Sequence, residues 1–426
     1  MVYKVIGLMS GSSLDGLDIA YVHLQESVSS SKDAPRKWEY TFLHTACYHY
    51  TKEWKDRLAG ATGLSALDYQ LLHAEYGHYI GQEVLRFIDE HSLHYQVQLI
   101  ASHGHTTFHL PAQKMTAQLG DGAAIAATTG INVVSDLRAM DLALGGQGAP
   151  IVPVGEKLLL SGYQLFLNLG GIANLSRASD GNEPYIAFDV CPANRVLNGL
   201  AVLAGKDYDE DGALAAKGKV DAALLERLNG LEYYGKGYPK SLGNTMGTET
   251  VLPMIREAMG SVEDALRTYV EHIAVQIGRA VEGLLPAGGA GSDAEGPEKV
   301  VGARVGGTRP GAGIAEAGRE GVQTAAAVSG EVAVSGSASG AGGRGKMLVT
   351  GGGAHNVFLT DRLREILQPL GVDLDVPVSQ LVDYKEALVM ALIGVLRWRE
   401  ENNVLASVTG ASRDSIGGAV WMGQEA

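Results

Sequence analysis

Residues 5–22 read VIGLMSGSSLDGLDIAYV, and this stretch decides the fold. The apolar run 5–9 predicts a buried strand, the alternation over 18–22 predicts a second strand, and a Ser/Gly-rich turn joins them into a hairpin. Gly11 and Gly16 allow positive φ and the close approach of a bulky anion, while the N–H and hydroxyl groups of the turn can donate to phosphate oxygens. The hairpin therefore predicts a nucleotide phosphate site, although a plain turn uses the same residue types.

Length and charge bound the class of protein. With 426 residues, the chain can form two or three domains or one large two-lobed enzyme. Its formal net charge of −14, without a cluster of Lys or Arg, argues against nucleic acid or an anionic membrane as the main partner. Backbone dipoles and a divalent cation can still hold ATP in an acidic protein.

Cysteine usage and hydropathy predict the compartment. Cys47 and Cys191 are the two cysteines, far apart and outside any CxxC pair, so the sequence supports neither a disulfide framework nor a structural zinc site. The N-terminus shows no basic segment before a long apolar stretch, and the apolar segment 387–396 is too short to span a bilayer. We expect a soluble cytoplasmic protein.

The rest of the chain alternates strands with helices, which is typical of an α/β fold. Strands are predicted at 38–46, 97–101, 131–134, 185–189, 346–349 and 372–376, and helices at 65–91, 154–160, 196–203, 213–228, 251–259, 262–285, 358–367 and 384–399. Residues 164–176 (QLFLNLGGIANLS) form a second strand–glycine turn–strand unit. The polar cluster 102–109 (SHGHTTFH) follows a strand, and ligands gather at the carboxyl ends of strands in open α/β sheets.

Residues 287–345 differ in composition from the rest of the chain. More than half of them are Gly, Ala or Ser, and the segment contains neither Leu nor an aromatic residue. Such a segment buries too little apolar surface to offset the entropy of ordering it, so we predict a low-complexity insertion outside the fold. A long surface loop is tolerated at this position, between a helix and a strand.

Seven blocks of the sequence resemble those of the bacterial anhydro-N-acetylmuramic acid kinases. The blocks are MSGSSLDGLD, SHGHTTFHLP, QLGDGAAIA, DLRAMDLALGGQGAPIVP, LNLGGIANLS, GGGAHN and VTGAS. The two strand–glycine turn–strand units and GGGAHN, in this order, also resemble the phosphate and adenosine signatures of the superfamily of acetate and sugar kinases, heat-shock chaperones and actin. The resemblance covers nearly the whole chain except 287–345.

The resemblance implies a two-lobed actin-like ATPase fold, built from duplicated ribonuclease H-like domains, with ATP in the cleft between the lobes. The lobes would be 1–135, with the phosphate-binding hairpin, and 136–426, with the catalytic aspartate and the adenosine motif. The family opens the 1,6-anhydro bond of its amino sugar with water and phosphorylates the released O6. The product is N-acetylmuramic acid 6-phosphate, an intermediate of cell-wall recycling.

The resemblance also implies site residues, carried over by position. Asp189 would be the catalytic base. ATP, with Mg²⁺, would bind at Gly11, Ser12, Ser13, Leu14, Asp15, Gly16, Leu17, Asp18, Gly170, Gly171, Gly351, Gly352 and Gly353. The anhydrosugar would contact Ser102, His103, Gly104, Thr106, Arg138 and Glu386. The family further suggests a homodimer.

The residue types fit these roles but allow simpler readings. A carboxylate at a strand end can accept a proton from the attacking water, although an aspartate at this position could instead cap the next helix. Arg138 could pair with a nearby carboxylate on the surface, and Glu386 could simply favour the start of a helix. Asp15 and Asp18 fit simple turn and strand positions, and a role for them in magnesium or sugar binding stays open. The metal ligands remain unknown, and a cluster of His103, His105 and His109 is disfavoured because no carboxylate pattern accompanies it.

The block after Asp189 departs from the family. The family pattern is TGPGN, whereas this chain has VCPAN over 190–194, and replacing both glycines restricts a turn near the phosphate or sugar. Two alternatives therefore stay open beside the anhydrosugar kinase. One is a kinase of another sugar or small acid on the same fold, and the other is a non-enzymatic nucleotide switch.

Overall fold

The computed structural model of the chain describes residues 1–11, 14–27, 37–178, 184–238, 240–243, 245–285 and 345–423. The strands are β1 (Val2–Ser10), β2 (Gly16–Ser27), β3 (Lys37–His49), β4 (Leu99–Leu110), β5 (Met115–Leu119), β6 (Val133–Ser135), β7 (Leu165–Leu169), β8 (Ile172–Arg177), β9 (Ile186–Pro192), β10 (Gly345–Thr350), β11 (Val372–Asp375) and β12 (Ala419–Trp421). Residues 286–344, which include nearly all of the predicted insertion, lie outside the described residues.

The α-helices surround two sheets. They are α1 (Lys52–Ala59), α2 (Ala66–Glu90), α3 (Gly122–Thr129), α4 (Ala139–Ala143), α5 (Pro153–Leu159), α6 (Asn194–Ala201), α7 (Ala222–Asn229), α8 (Leu252–Ala258), α9 (Val262–Glu282), α10 (Val357–Leu367), α11 (Ser379–Trp398) and α12 (Ala406–Thr409). The predicted helix 65–91 is confirmed as α2, and Ser65 caps it by accepting a hydrogen bond from the Asp68 N–H. In the part of the chain that the structure covers, no helix is long and apolar enough to cross a membrane.

The two sheets repeat one plan. The first has the order β12-β6-β4-β1-β2-β3, with β5 paired to β4, and the second has the order β11-β10-β7-β8-β9. In each, a glycine-turn hairpin leads into a third antiparallel strand, and two further strands add in parallel on the other side of the first strand. This duplication confirms the predicted two-lobed α/β fold.

Helix α11 packs directly on the first sheet. It is apolar along most of its length, and a Cβ on Gly7 would overlap the Ala387 carbonyl oxygen. The apolar core around α11 also includes Phe166 of β7 and Leu348 of β10, so it joins the two sheets. Helix α11 begins five residues before the predicted helix 384–399, and Val382 and Asp383 of this extension line a cavity between the sheets.

The end of the chain returns to the first sheet, where β12 pairs antiparallel with β6. The predicted boundary between the lobes at residue 135 stays a prediction. The last strand, β12, pairs with a strand on the other side of that boundary.

Three sequence-based boundaries were wrong. The cluster 102–109 lies within β4, because β5 pairs with this part of the strand and extends it. Strand β9 likewise continues past Asp189 to Pro192. The predicted helix 213–228 is interrupted before α7 at Gly218, where a Cβ would overlap the Glu263 backbone at the start of α9.

Candidate active site

A cleft of about 1160 Å³ lies between the two sheets. Gly11, Asp15, Gly16 and Asp18 of the first hairpin line it, as do glycines of the two later turns, Gly170, Gly171, Gly351, Gly352 and Gly353. Three glycine turns that are far apart in sequence thus meet at one cavity, as the resemblance implies. Ser12 and Ser13 lie outside the described residues, Leu17 is buried in the core and Leu14 packs against that core.

The glycine turns allow backbone segments to approach closely. Gly351 has φ of +82°, and a Cβ there would overlap the side-chain oxygen of Asn168. The turn at Gly170 and Gly171 is tied to the start of α6, because the Gly170 carbonyl accepts from the Asn194 N–H at 3.1 Å. The N–H groups of residues 193–195 at this helix start are thus paired with the Gly170 and Gly171 carbonyls, so donors to phosphate oxygens would come from the N–H groups of the glycine turns themselves.

Four polar side chains form a row across the wall of the cleft. The Asn168 Nδ2 atom donates to Glu386 Oε1 at 3.4 Å, and the Asn174 Nδ2 atom donates to Asp189 Oδ1 at 3.1 Å. Asn168 pairs with Asn174 across β7 and β8, and Asn174 pairs with Asp189 across β8 and β9. Strand register therefore joins Asn168, Asn174 and Asp189, and the hydrogen bond from Asn168 extends the row to Glu386 of α11.

Asp189 is not among the residues that line the cleft, but its hydrogen-bond partner Asn174 is. A neighbouring loop holds the aspartate: the Leu242 N–H donates to Asp189 Oδ2 at 2.8 Å, and the Asp189 N–H donates to the Lys240 carbonyl at 3.2 Å. The Tyr233 hydroxyl donates to the Asp189 carbonyl at 2.6 Å. Burial raises the pKa of Asp189, and the hydrogen bonds from Leu242 and Asn174 oppose that rise.

The part of the cleft wall around Asp18 is acidic. Burial raises the pKa of Asp18 to about 6, with further contributions from Glu386, Asp383 and Asp15, while a hydrogen bond with Cys47 lowers it. Burial also raises the pKa of the Cys47 thiol, so this side chain stays a neutral donor. Asp18 thus adds to a concentration of negative charge close to the glycine turns.

The acidic wall suits a magnesium nucleotide better than a bare metal. Among the residues whose placement is described, no group of three or more His, Cys, Asp or Glu could hold a metal ion by itself. Mg²⁺ usually keeps several waters and binds one or two carboxylates together with substrate phosphates. Asp15 and Asp18, next to the glycine turns, fit that pattern.

The predicted sugar contacts separate into two places. Glu386 lines the large cleft, whereas Ser102 and His103 line a second, smaller pocket. The Arg138 Nε atom donates to His103 Nε2 at 2.8 Å and an Nη atom donates to the Gly148 carbonyl at 2.6 Å, so these two hydrogen bonds hold Arg138. Gly104 and Thr106 lie in β4 and Arg138 precedes α4; the sugar contacts of all six residues stay predictions.

The three histidines of β4 have separate partners. The His103 ring also bonds the Gly104 carbonyl at 2.8 Å, His105 bonds the Ser10 hydroxyl at 3.1 Å, and His109 bonds the Thr116 hydroxyl at 3.2 Å. The Ser10 hydroxyl is buried and also accepts from Tyr50, so it turns away from the cleft.

The VCPAN segment lies at the junction of β9 and α6. Residues 190–194 all lie in the described part of the chain and none has positive φ; Ala193 has φ of −127°. Cys191 and Ala193 are fully buried at the junction of β9 and α6. Cys191 therefore extends β9, whereas Ala193, with φ of −127° and ψ of −104°, forms the turn into α6, and the effect of the altered block on substrate fit stays a prediction.

Sequence reasoning missed several residues of the site. Asn168 and Asn174 interrupt two apolar strands on either side of Gly170 and Gly171, and that interruption was a usable signal. Asp383 lines the cleft one helical turn from Glu386, but α11 had been predicted to start after it. The loop at Lys240 and Leu242 gave no signal, because only tertiary structure brings it to Asp189.

The duplicated fold and the glycine-lined cleft define a two-lobed protein of the ATPase-fold kinase class. The chain belongs to the family of AnmK, anhydro-N-acetylmuramic acid kinase, whose model matches residues 3–287 and 317–423. An anhydro-N-acetylmuramic acid kinase of Gloeobacter violaceus is 31% identical over 424 residues, covering 96% of each chain. One from Aliivibrio fischeri is 29% identical over 434 residues, covering 98% of this chain and 99% of the relative.

Among solved structures, the activator of the 2-hydroxyisocaproyl-CoA dehydratase from Clostridium difficile with bound ADPNP aligns with a TM-score of 0.38 and 12% identity. That alignment covers 94% of this chain and 96% of the activator. So distant a likeness supports no statement about the ligands of this chain.

Proposed function

We propose that this protein is an ATP-dependent kinase that opens 1,6-anhydro-N-acetylmuramic acid with water and phosphorylates O6. The observation that carries the proposal is the row from Glu386 through Asn168 and Asn174 to Asp189, beside three glycine turns at one cleft. Family membership and the names of the full-length relatives support the same reaction.

Asp189 acts as the general base in this proposal. It takes a proton from a water molecule whose oxygen attacks the anomeric carbon; the bond from that carbon to O6 breaks, and O6 attacks the γ-phosphorus of ATP as ADP leaves. Burial raises the pKa of Asp189, which makes the ionised carboxylate a stronger base. The donors at Asn174 and Leu242 fix the direction of its two oxygens.

The glycine turns hold the phosphates of ATP through backbone N–H groups. Asp15 and Asp18 would hold Mg²⁺, which supplies neutralisation of the phosphate charge. With a cation bound, the repulsion that contributes to the raised pKa of Asp18 is relieved. Phosphoryl transfer needs mainly this positioning and neutralisation.

The sugar is proposed to lie between Glu386 and the group formed by His103 and Arg138. The guanidinium of Arg138 is close enough to Glu386 to interact with it electrostatically, and it can attract the lactyl carboxylate that distinguishes a muramic acid from other hexosamines. Ser102, Gly104 and Thr106 would complete this wall from β4.

The product of this reaction is consumed in the recycling of peptidoglycan, so we place the protein in the cytoplasm as part of amino sugar catabolism. A homodimer, with a small anhydro amino sugar rather than nucleic acid or membrane as its partner, completes the proposal.

ADP release from ATP and Mg²⁺ tests the substrate. We expect turnover with 1,6-anhydro-N-acetylmuramic acid and none with N-acetylmuramic acid or N-acetylglucosamine, which lack the anhydro bond. Turnover with a different sugar or small acid would instead assign another kinase on this fold. Nucleotide binding without turnover on any of them would indicate a nucleotide switch.

A further inference from the structure

Arg195 is a cation of the large cleft that the proposed reaction leaves without a role. It is the second residue of α6, and it lines the cleft together with the turn at Gly170 and Gly171. A Cβ built on Gly171 would lie 3.6 Å from both the Nε and the Nη2 atom of Arg195. The guanidinium group therefore lies against one of the glycine turns that are proposed to hold ATP.

This guanidinium group is partly buried without an anion beside it. Within the described part of the chain, the Arg195 side chain makes no hydrogen bond and no ion pair. Burial lowers the pKa of Arg195, but an arginine stays protonated in proteins. Because a charge that is taken out of water costs free energy unless an opposite charge compensates it, this position favours an anionic ligand.

The position of Arg195 in its helix adds to the imbalance. The start of an α-helix carries partial positive charge, which stabilises a nearby anion and destabilises a nearby cation. Arg195 lies in the first turn of α6, and this turn contains no acidic residue. An anion bound beside the turn would offset the repulsion between the helix dipole and the guanidinium group.

Arg195 is also the cation of the cleft that remains available to a ligand. Among the described residues that line the cleft, Lys385 and Arg195 are the two of the Lys or Arg type. The Lys385 ammonium group lies 3.1 Å from Glu156 and its side chain is 3% exposed, so its charge is already compensated. Most of the other charged side chains of the cleft are carboxylates, which repel phosphate.

Packing directs the Arg195 side chain toward the glycine turn. A Cβ built on Gly247 would lie 3.6 Å from the Arg195 Cδ atom, so the aliphatic stem lies close to Gly247 while the guanidinium group lies close to Gly171. A guanidinium group presents its donors as a planar fork, which matches the oxygens of a phosphate group. Arg195 thus has both the charge and the geometry of a phosphate ligand.

We infer that Arg195 binds the terminal phosphates of the nucleotide, with its guanidinium fork directed at them beside the turn of Gly170 and Gly171. This inference rests on the proposed function, because it assigns a further ligand to the nucleotide of the same cleft. The affinity gained from Arg195 then depends on the phosphates of the nucleotide and not on its adenosine.

Calorimetric titration of the full chain without sugar tests the contact with adenosine, MgADP and MgATP. We expect Arg195→Met to weaken the binding of MgADP and MgATP about 10- to 100-fold, the usual worth of hydrogen bonds to a charged group, and to leave the binding of adenosine unchanged. Methionine keeps an apolar stem beside Gly247. Arg195→Lys keeps the charge but loses the fork, so it should give an intermediate affinity.

Arg227→Met is the matched control. Arg227 is a half-exposed arginine of α7 that pairs with Glu257, and it is not among the residues that line the cleft. This variant should bind all three ligands as the wild type does.

Two results overturn the inference. MgATP affinity that is unchanged in Arg195→Met would show that the guanidinium group does not contact the phosphates. Adenosine affinity that falls as much as MgATP affinity would show that the substitution damages the cleft as a whole rather than a phosphate contact.

Turnover of 1,6-anhydro-N-acetylmuramic acid separates this inference from the proposed function. A wild type that phosphorylates the anhydrosugar, with normal MgATP binding by Arg195→Met, upholds the proposed function and overturns the inference. A wild type that phosphorylates no sugar, with MgATP affinity that falls in Arg195→Met and adenosine affinity that does not, supports the inference and overturns the proposed function.

Discussion

Replacing Asp18 by Asn should stabilise the ligand-free protein. The folded chain raises the pKa of this carboxyl from its ordinary 3.8 to about 6, chiefly by burial. Each pKa unit corresponds to about 1.36 kcal/mol, so ionised Asp18 costs the fold up to about 3 kcal/mol. Asparagine keeps the shape, can still accept from Cys47 and carries no charge at any pH.

The sign of the pH dependence is fixed by the direction of the shift. The stability associated with the raised pKa is fully present below pH 3.8 and is lost as the pH rises through about 6. Asp18→Asn should therefore exceed the wild type by up to about 3 kcal/mol at pH 8 and by less than about 1 kcal/mol at pH 4.

Urea unfolding of the ligand-free protein across this pH range measures the difference, with Asp361→Asn as the exposed control. A difference between Asp18→Asn and wild type that stays the same from pH 4 to pH 8 would refute the reasoning. The same variant should bind MgATP more weakly, because a proposed ligand of the cation is lost.

Three other changes test the packing and the row of polar groups. Gly7→Ala should lower the free energy of unfolding by about 1–3 kcal/mol, measured in urea, because the new Cβ overlaps the α11 backbone. Lys385→Met should cost about 3–5 kcal/mol and lower the thermal midpoint, because it leaves buried Glu156, 3.1 Å away, without its cation. Asn174→Ala should move the acid limb of the kcat/KM profile to higher pH, because a hydrogen bond that lowers the pKa of Asp189 is lost.

Each change has its own control. Gly63→Ala adds a Cβ with no atom within 4 Å, so it should alter the free energy of unfolding by less than about 0.5 kcal/mol. If Gly7→Ala changes the free energy of unfolding no more than Gly63→Ala does, the packing argument is contradicted. Adding Glu156→Gln to Lys385→Met should recover part of the lost stability, because no unpaired charge is then buried. A Lys385→Met variant as stable as the wild type would count against a stabilising role of the buried pair. An acid limb that does not move in Asn174→Ala would show that Asp189 does not set it.

The hairpins and the meeting of the glycine turns could be predicted because their signals are local. Alternating strands around Gly11 and around Gly170 specify two similar units, and the rule that ligands bind at strand ends places them together. Helix α2 was predicted to within a residue or so at each end because its cap and its apolar period agree.

The remaining features depend on distant contacts. Gly218 ends a predicted helix because α9, which lies more than forty residues further along the chain, occupies the space that a side chain would need. The hydrogen bond from the Leu242 N–H to Asp189 has no local signature in the sequence. The same is true of the second pocket, which is assembled from α2, β4, β5, α3, β6 and β12. The polar pair Asn168 and Asn174 did have one, as amides within apolar strands.

Product analysis with wild type and Asp189→Asn tests the central claim most directly. With ATP, Mg²⁺ and 1,6-anhydro-N-acetylmuramic acid, the wild type should form ADP and N-acetylmuramic acid 6-phosphate in equal amounts. The variant should bind ATP normally and lose about 10²-fold or more of its turnover, as expected for a missing general base. Full turnover by Asp189→Asn, or ADP release without a phosphorylated sugar, would contradict the assignment of this aspartate and of the reaction.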